Sequence, residues 1–494
     1  MAVSFFTLSW VIARSRSREQ QRDKCFHQTH SGDVPRTGGV GIALAYYVGA
    51  TSLAAFQPSL VPWHSYVTLV LGPLLMFGVG FWDDLRAMGA RAKLLLQILV
   101  ALFVVGQGLD VSVVSNPFFE GGLQIGGFGF ALAVFWIVAL TNLINIIDGI
   151  DGLAGGISLM LMVLLINVAG AGSGMFVVLL AVIAAGALVG FLYFNFPPAK
   201  IYMGDGGAYF LGCLIAVLSI DSSQKGTVVA ALLAPVFALG LPIIDVSLAL
   251  IRRALKGLPI FRADRRHLHH RLADKGFSRR RSVLTLYVMS LVFLFMALGV
   301  FWSQGKLVPI FSGVLFLAVI YVVHSFGMVP DKYSIPRLWR ELSSMRKETR
   351  YVMALGQWLE LEAERCGSPE ELWDNFQFLA RKMDLYEVKL KVEQGELVWR
   401  NFEKYGRPLG STRSTHVPIN SDTVRGIDIV AEEALNSEKA FELKAELITE
   451  AWVKAANRWR RTNQQEFRFQ PPVAASSAGG EQSPVQAVPA IPTG

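Results

Sequence analysis

The chain has 494 residues, of which 52% are hydrophobic and only 17% charged, with a mean hydropathy of +0.42. Soluble globular proteins approach a quarter charged residues, so this composition excludes one and reads as a polytopic membrane protein. The net charge of +8 does not point to nucleic acid, because most of it sits in loops beside apolar segments, where basic residues orient a chain in the bilayer.

Eleven apolar segments follow in order, at 1–13, 38–56, 66–82, 93–109, 126–147, 153–169, 175–195, 207–220, 227–251, 283–302 and 307–325. A perpendicular helix needs about 20 residues to cross, so several are short and their ends are soft. The first barely spans; without a basic n-region or a small-residue cleavage site it reads as a short or tilted anchor rather than a signal. With loops alternating between the two sides, twenty Lys and Arg fall on one side against two, Lys225 and Lys306, on the other. The positive-inside rule makes the first side cytoplasmic. Cys25, Cys213 and Cys366 show no CxxC spacing, so neither a disulfide framework nor a thiolate metal site is indicated.

From about residue 327 the composition becomes that of a soluble domain. "SPEELWDNFQFLARKMDL" opens on a Ser-Pro-Glu-Glu helix start and carries Leu372, Phe376, Leu379 and Met383 at helical spacing. "YEVKLKVEQGELVWRNF" alternates around a glycine turn as a hairpin does. A long helix is expected over about 435–462, and the Pro/Ala/Ser/Gly-rich tail reads as disordered. The expected fold is an all-α polytopic membrane protein of about 11 transmembrane helices plus a small soluble α+β C-terminal domain. Its divisions are 1–326 for the membrane domain, 340–465 for the cytoplasmic domain and 466–494 for the tail. No GxGxxG or GxxxxGK[ST] fingerprint is present where it would matter.

In the expected topology the unusual polar stretches share the cytoplasmic boundary: "FWDDLRAMGARAKLLLQ" (81–97), "NLINIIDGIDGLAGG" (142–156), "IYMGDGGAYFLG" (201–212) and "FRADRRHLHHRLADKGFSRRR" (261–281), with "HSGDVPRTGG" (30–39) beside them. Asp83, Asp84, Asp148, Asp151 and Asp205 lie at the ends of apolar helices, where a carboxylate in hydrocarbon costs about 2.5–3.5 kcal/mol. Any one of them alone reads equally as a cap. Five on one side would repel unless a cation neutralised them, and an all-oxygen donor set suits a hard ion such as Mg²⁺, with Mn²⁺ as an alternative.

Asn142, Asn145 and Asp148 stand three apart and form one polar stripe on a helix, which Gly149 and Gly152 then break. The break re-aims Asp151 and turns the next helix's N-terminus toward the cytoplasm, a place for an anionic ligand. The following residues are apolar with no Glu at the twelfth position, so this is no EF-hand. His267, His269 and His270 lack the HExxH spacing and stand among Arg265, Arg266 and Arg271, which repel a metal and suit a diphosphate. Lys93 and Arg36 read either as interfacial anchors or as phosphate contacts.

Taken together, Asp-Asp with a Lys nine residues after the second, Asn-x-x-Asn-x-x-Asp-Gly-x-Asp-Gly, Met-Gly-Asp and His-Leu-His-His-Arg resemble the polyprenyl-phosphate N-acetylhexosamine-1-phosphate transferases over about residues 20–325. The resemblance implies ten or eleven helices around a cytoplasmic groove. It also implies transfer of a sugar-1-phosphate from a UDP-sugar to a polyprenyl phosphate, with release of UMP. Carried onto this chain, it makes Asp205 the principal Mg²⁺ ligand and Asn145 the second, and has Asp151 read the uracil while Tyr202 stacks on it. Lys93 contacts phosphate, and Asp83 and Asp84 position or deprotonate the lipid phosphate. Asp148 joins the catalytic group, Arg36 and Asn142 the substrate contacts, and His267, His269, His270 and Arg271 hold sugar and diphosphate. The HLHHR form is closer to the GlcNAc-type enzymes than to the phospho-MurNAc-pentapeptide branch, which is the runner-up.

The implied setting is the bacterial inner membrane, as the first membrane step of cell-envelope polysaccharide synthesis. A homodimer and a protein partner for the C-terminal domain stay open. "HSGDVPRTGG" departs from the family, where a Pro-Thr or similar pair is more usual. A secondary transporter is the rival from another class; against it, no inverted repeat is visible and the motifs cluster at one face rather than at mid-membrane.

Overall fold

The structure is a computed structural model. It describes residues 1–15, 34–109, 113–115, 122–124, 126–171, 174–223, 235–240, 243–247, 276–303, 306–325, 335–392, 395–401, 411–419, 424–432 and 438–465, with single positions between. The chain divides into two units. The first comprises Met1–Gln20, Gly32–Ile251 and Ala263–Asp331, the second Gln21–Ser31, Arg252–Arg262 and Lys332–Gly494.

The described part of the first unit is helical, in the order α1 (Ala2–Ser15), α2 (Gly38–Phe56), α3 (Trp63–Leu85), α4 (Ala90–Gly106), a short hairpin β1 (Val113–Ser115) and β2 (Gly122–Gln124), α5 (Gly127–Ile147), α6 (Leu153–Ala171), α7 (Met175–Asn195), α8 (Gly204–Ser223), α9 (Arg279–Trp302) and α10 (Val308–Ser325). Seven of these, α2, α3 and α5 to α9, are long and apolar enough to cross a membrane. Helix α5, at 21 residues, reaches about 30 Å, the thickness of the hydrocarbon core. The protein is therefore a multi-pass membrane protein. The expected eleven crossings are not reached among the described residues: α1, α4 and α10 run only 14, 17 and 18 residues, and the segment 227–251 lies largely outside them.

Helix α8 is the axis of this unit. Every residue from Gly206 to Ser222 is buried, and α2, α3, α5, α6 and α7 all pack on it. Without a hydrophobic force between helices in lipid, close backbone approach through small residues does this work. A Cβ on Gly39 would lie 2.4 Å from the Gly207 Cα, and one on Gly80 2.5 Å from the Asp205 carbonyl oxygen. Both contacts lie at the end of the bundle where the polar motifs sit.

The second unit contains α11 (Ile335–Glu362), α12 (Pro369–Lys382), β3 (Glu387–Val392), β4 (Gly395–Arg400), β5 (Thr412–Pro418), β6 (Val424–Glu432) and α13 (Glu438–Asn463). The four strands form an antiparallel sheet in the order β4-β3-β6-β5. Val388, Leu390, Ile427 and Ile429 of the sheet join Leu359, Phe376, Trp452 and Trp459 of the helices in one core. Ser368 caps α12, its hydroxyl accepting from the Glu371 N–H, as the Ser-Pro-Glu-Glu start predicts. The expected helix, hairpin and closing helix are all present. The unit also takes in α11, and β5 and β6 complete a sheet of which only the hairpin was expected. The tail from 466 lies almost wholly outside the described residues.

Candidate active site

The polar residues meet at one end of the bundle because the sequence places them at helix ends that share a level. Asp83 and Asp84 close α3, Lys93 opens α4, Asn145 lies in the last turn of α5, and Asp205 opens α8. Lys93 bridges two carboxylates: it forms an ion pair with Asp83, and its Nζ lies 3.4 Å from Asp205 Oδ2. Asp205 Oδ1 accepts from Asn145 Nδ2 at 3.0 Å. Asp83 Oδ1 also accepts from the Met88 N–H at 2.7 Å, folding the α3–α4 loop back over the site.

Asp84 faces the same helix differently. Its Oδ1 accepts from the Asp205 N–H at 3.1 Å and its Oδ2 from the Gly206 N–H at 2.9 Å, so it caps α8 where the helix's positive end favours a carboxylate. The segment 35–39, a loop leading into the first turn of α2, runs alongside 202–203: Tyr202 N–H donates to Pro35 O, and Gly38 and Gly39 N–H donate to Tyr202 O and Met203 O, all at 2.8 Å. The Arg36 guanidinium, on the exposed side of this pairing, acts electrostatically on Asp84, Asp148 and Tyr202. Gly204 is demanded twice over, by its φ of +77° and by the Arg36 carbonyl oxygen, which a Cβ would meet at 2.3 Å.

The Asp148–Gly152 turn lies beside this cluster. Burial, then the carboxylates of Asp205, Asp84 and Asp151, push the Asp148 carboxyl well above the usual carboxylate range. Asp151 is only 4% exposed; its Oδ2 accepts from the Ala199 N–H at 3.2 Å, while its Oδ1 takes no hydrogen bond among the described residues. Burial and the neighbouring Asp151 carboxylate likewise push the Tyr202 phenol up. Asn142 is tied down by protein: its Nδ2 donates to Gln97 Oε1 at 2.7 Å and to Val138 O at 2.8 Å.

Of the expected site residues, Asp83, Lys93, Asn145 and Asp205 are in direct contact, and Asp84, Arg36, Asp148, Asp151 and Tyr202 surround them. His267, His269, His270 and Arg271 lie outside the described residues. Three side chains that hold the site escaped the sequence reading: Gln97, Asn195 and Tyr287. Gln97 follows Lys93 by four residues and so shares its helix face, a signal that was available. Asn195 ends an apolar run, and Tyr287 sits in one with no periodic cue.

Among the described residues no three acidic, histidine or cysteine side chains converge as a ready metal cage. That arrangement still fits Mg²⁺, which keeps water and substrate phosphate in its shell and takes only one or two carboxylates from protein. The oxygen donors on hand are those of the Asp205 carboxylate, which Asn145 meets through its amide nitrogen.

The model of glycosyl transferase family 4 matches residues 66–223, the stretch that runs from within α3 to the end of α8 and includes the Asp-Asp, Asn-x-x-Asn-x-x-Asp-Gly and Met-Gly-Asp motifs. The chain is 33% identical over 310 residues to a probable undecaprenyl-phosphate N-acetylglucosaminyl 1-phosphate transferase of Bacillus subtilis, covering 62% of this chain and 84% of that protein. The chain belongs to glycosyl transferase family 4. A decaprenyl-phosphate N-acetylglucosaminephosphotransferase of Mycobacterium tuberculosis is 32% identical over 338 residues, covering 63% of this chain and 83% of that one. A phospho-N-acetylmuramoyl-pentapeptide-transferase of Caldanaerobacter subterraneus is 29% identical over 285 residues, covering 55% and 85%. The four residues in direct contact all fall inside residues 66–223. The second compact unit lies outside that stretch.

Proposed function

We propose that this family 4 protein transfers GlcNAc-1-phosphate from UDP-GlcNAc to a polyprenyl phosphate, releasing UMP. The observation that carries the reading is the meeting of Asp83, Lys93, Asn145 and Asp205 from four helices at one end of the bundle. Two anionic substrates must approach each other, and Lys93 and Arg36 supply opposing charge. The basic loop of His267, His269, His270 and Arg271 adds donors for the diphosphate and the sugar. A phosphate oxygen of the lipid attacks the β-phosphorus; the bond from that phosphorus to the bridging oxygen breaks, and UMP leaves. Asp83, held by Lys93 and the Met88 amide, positions or deprotonates the lipid phosphate, and Asp151 and Tyr202 take the uracil.

Asp205 with Asn145 would hold Mg²⁺. When bound, the ion would screen the diphosphate and stabilise the departing phosphate charge. The excess of Lys and Arg in the loops expected on one side supports a cytoplasmic orientation of this end of the bundle in a bacterial plasma membrane.

The test is purified protein with undecaprenyl phosphate and a panel of UDP-sugars, including UDP-MurNAc-pentapeptide, followed by UMP release with and without Mg²⁺. UMP release confined to UDP-GlcNAc with lipid and Mg²⁺ is expected. Release only with the pentapeptide substrate moves the protein to that branch. No release with any UDP-sugar removes the enzymatic reading.

A further inference from the structure

The turn from Asp148 to Gly152 is pinned by two side chains that the proposed reaction does not use. Gly152 N–H donates to Asn195 Oδ1 at 2.8 Å, and the Tyr287 hydroxyl donates to Gly152 O at 2.5 Å. Asn195 is itself fixed, its Nδ2 donating to Ile201 O at 2.8 Å. Gly152 has a φ of +80°, the left-handed region that glycine enters without the steric cost of a Cβ. The Gly152 N–H is thus satisfied by a side chain from α7, and its carbonyl oxygen accepts both the Tyr287 hydroxyl of α9 and, at 2.9 Å, the Gly156 N–H of α6.

Tyr287 is built into its place. A Cβ on Gly156 would lie 2.1 Å from its hydroxyl oxygen, so the ring lies flat on the first turn of α6 where only glycine leaves room. Seven residues earlier on α9, the Arg280 guanidinium stands 5.6 Å over the Phe196 ring, a contact between α9 and the loop that follows α7. That loop supplies the Ala199 N–H which binds Asp151 Oδ2. Asp151 directly precedes Gly152, is 4% exposed and leaves Oδ1 without a donor among the described residues. Where that oxygen lies depends on the backbone of Gly152, which Tyr287 and Asn195 hold together with the Gly156 N–H.

We infer that Tyr287 is a positioning residue: from α9 it fixes the Asp148–Gly152 turn and so places the Asp151 carboxylate for the nucleotide half of the substrate. The inference rests on the role given to Asp151 above. A buried side-chain hydrogen bond to backbone is lost cleanly in Tyr287→Phe, which keeps the ring and its packing.

The experiment compares full-length wild type, Tyr287→Phe and Thr285→Val, a control on the same helix whose hydroxyl donates to Arg281 O. UMP affinity by calorimetry, KM for UDP-GlcNAc and for undecaprenyl phosphate, kcat and Tm are measured on each. Tyr287→Phe is expected to raise the UMP Kd and the UDP-GlcNAc KM together by five- to tenfold, about 1–1.4 kcal/mol. The lipid KM and kcat stay within about twofold, and Tm and the control stay at wild type. Unchanged Kd and KM overturn the inference, as does a parallel loss of kcat, both KM values and Tm, which marks a general structural role. A wild type that binds UMP without releasing it from UDP-GlcNAc unseats the proposed reaction but leaves the Kd comparison decisive. A wild type that does not bind UMP overturns both.

Discussion

Asp84 caps the helix that carries Asp205: its two carboxylate oxygens accept the N–H groups of Asp205 and Gly206 at 3.1 and 2.9 Å. Adjacent acids at the end of α3 therefore divide their work, with Asp83 facing Lys93 and Asp84 seating the α8 backbone. Asp84→Asn keeps an oxygen acceptor for one N–H and gives up the charge at the positive helix end. It is expected to retain measurable turnover, lowered about tenfold, while Asp84→Ala loses the cap and about 1–2 kcal/mol of stability. Initial rates and thermal melts in detergent check this. An Asp84→Asn protein as dead as an Asp205 variant would place Asp84 among the reacting groups instead.

Lys93 holds Asp83 and Asp205 together by placing one cation between two carboxylates. Asp205→Asn preserves the shape and an oxygen for the Asn145 amide, so folding and membrane insertion are expected to survive. Removing the charge that faces the diphosphate site should lower kcat by at least the 10²–10³ typical of a lost electrostatic group. Lys93→Met should cost turnover on the same scale, because it leaves two like charges adjacent and removes the cation that meets phosphate. Wild-type rates in Asp205→Asn would sink the assignment.

How much of this was readable follows from what each group costs. Carboxylates and amides at the ends of apolar helices are expensive in lipid, so Asp83, Asn145, Asp148 and Asp205 stand out without any structure. The division of labour between Asp83 and Asp84 does not, since it depends on packing α3 against a helix that begins 120 residues later. Tyr287 is invisible for the opposite reason: a phenol in an apolar run is cheap, and only its distant partner gives it meaning. In the second unit β5 reads Thr-Arg-Ser-Thr-His-Val-Pro, with one apolar residue before its closing proline, because an edge strand buries little. Its partner β6 carries the apolar alternation of that part of the sheet.

Gly204 offers a test of the motif's backbone logic. Its φ is +77°, and a Cβ there would lie 2.3 Å from Arg36 O and 2.7 Å from Asp84 Oδ2. Gly204→Ala should therefore disrupt the α8 cap and the 35–39 pairing at once, costing on the order of 3 kcal/mol or more and most of the activity. Gly78→Ala on α3 meets nothing within 4 Å and should be tolerated. Equal expression, melting and activity in the two variants would remove the steric account.

The outward face of the C-terminal sheet predicts an acid-labile unit. Against the upward push of partial burial, Arg400 and Lys389 hold the Glu387 carboxyl below its ordinary value, and Lys391 and His416 do the same for Asp428. Both carboxylates bind protons more readily in the unfolded chain, so their stabilisation is complete above their ordinary values of about 4 and is lost as pH falls through the lower folded values. Hydrogen exchange of the β3 and β6 amides in the full chain, corrected for intrinsic rate, should show protection falling below about pH 4. Glu387→Gln should flatten that dependence and lower protection at pH 7, because the amide gives Arg400 and Lys389 no counter-charge. Protection that is independent of pH between 3 and 7 in the wild type would show that these pairs contribute nothing to holding the sheet.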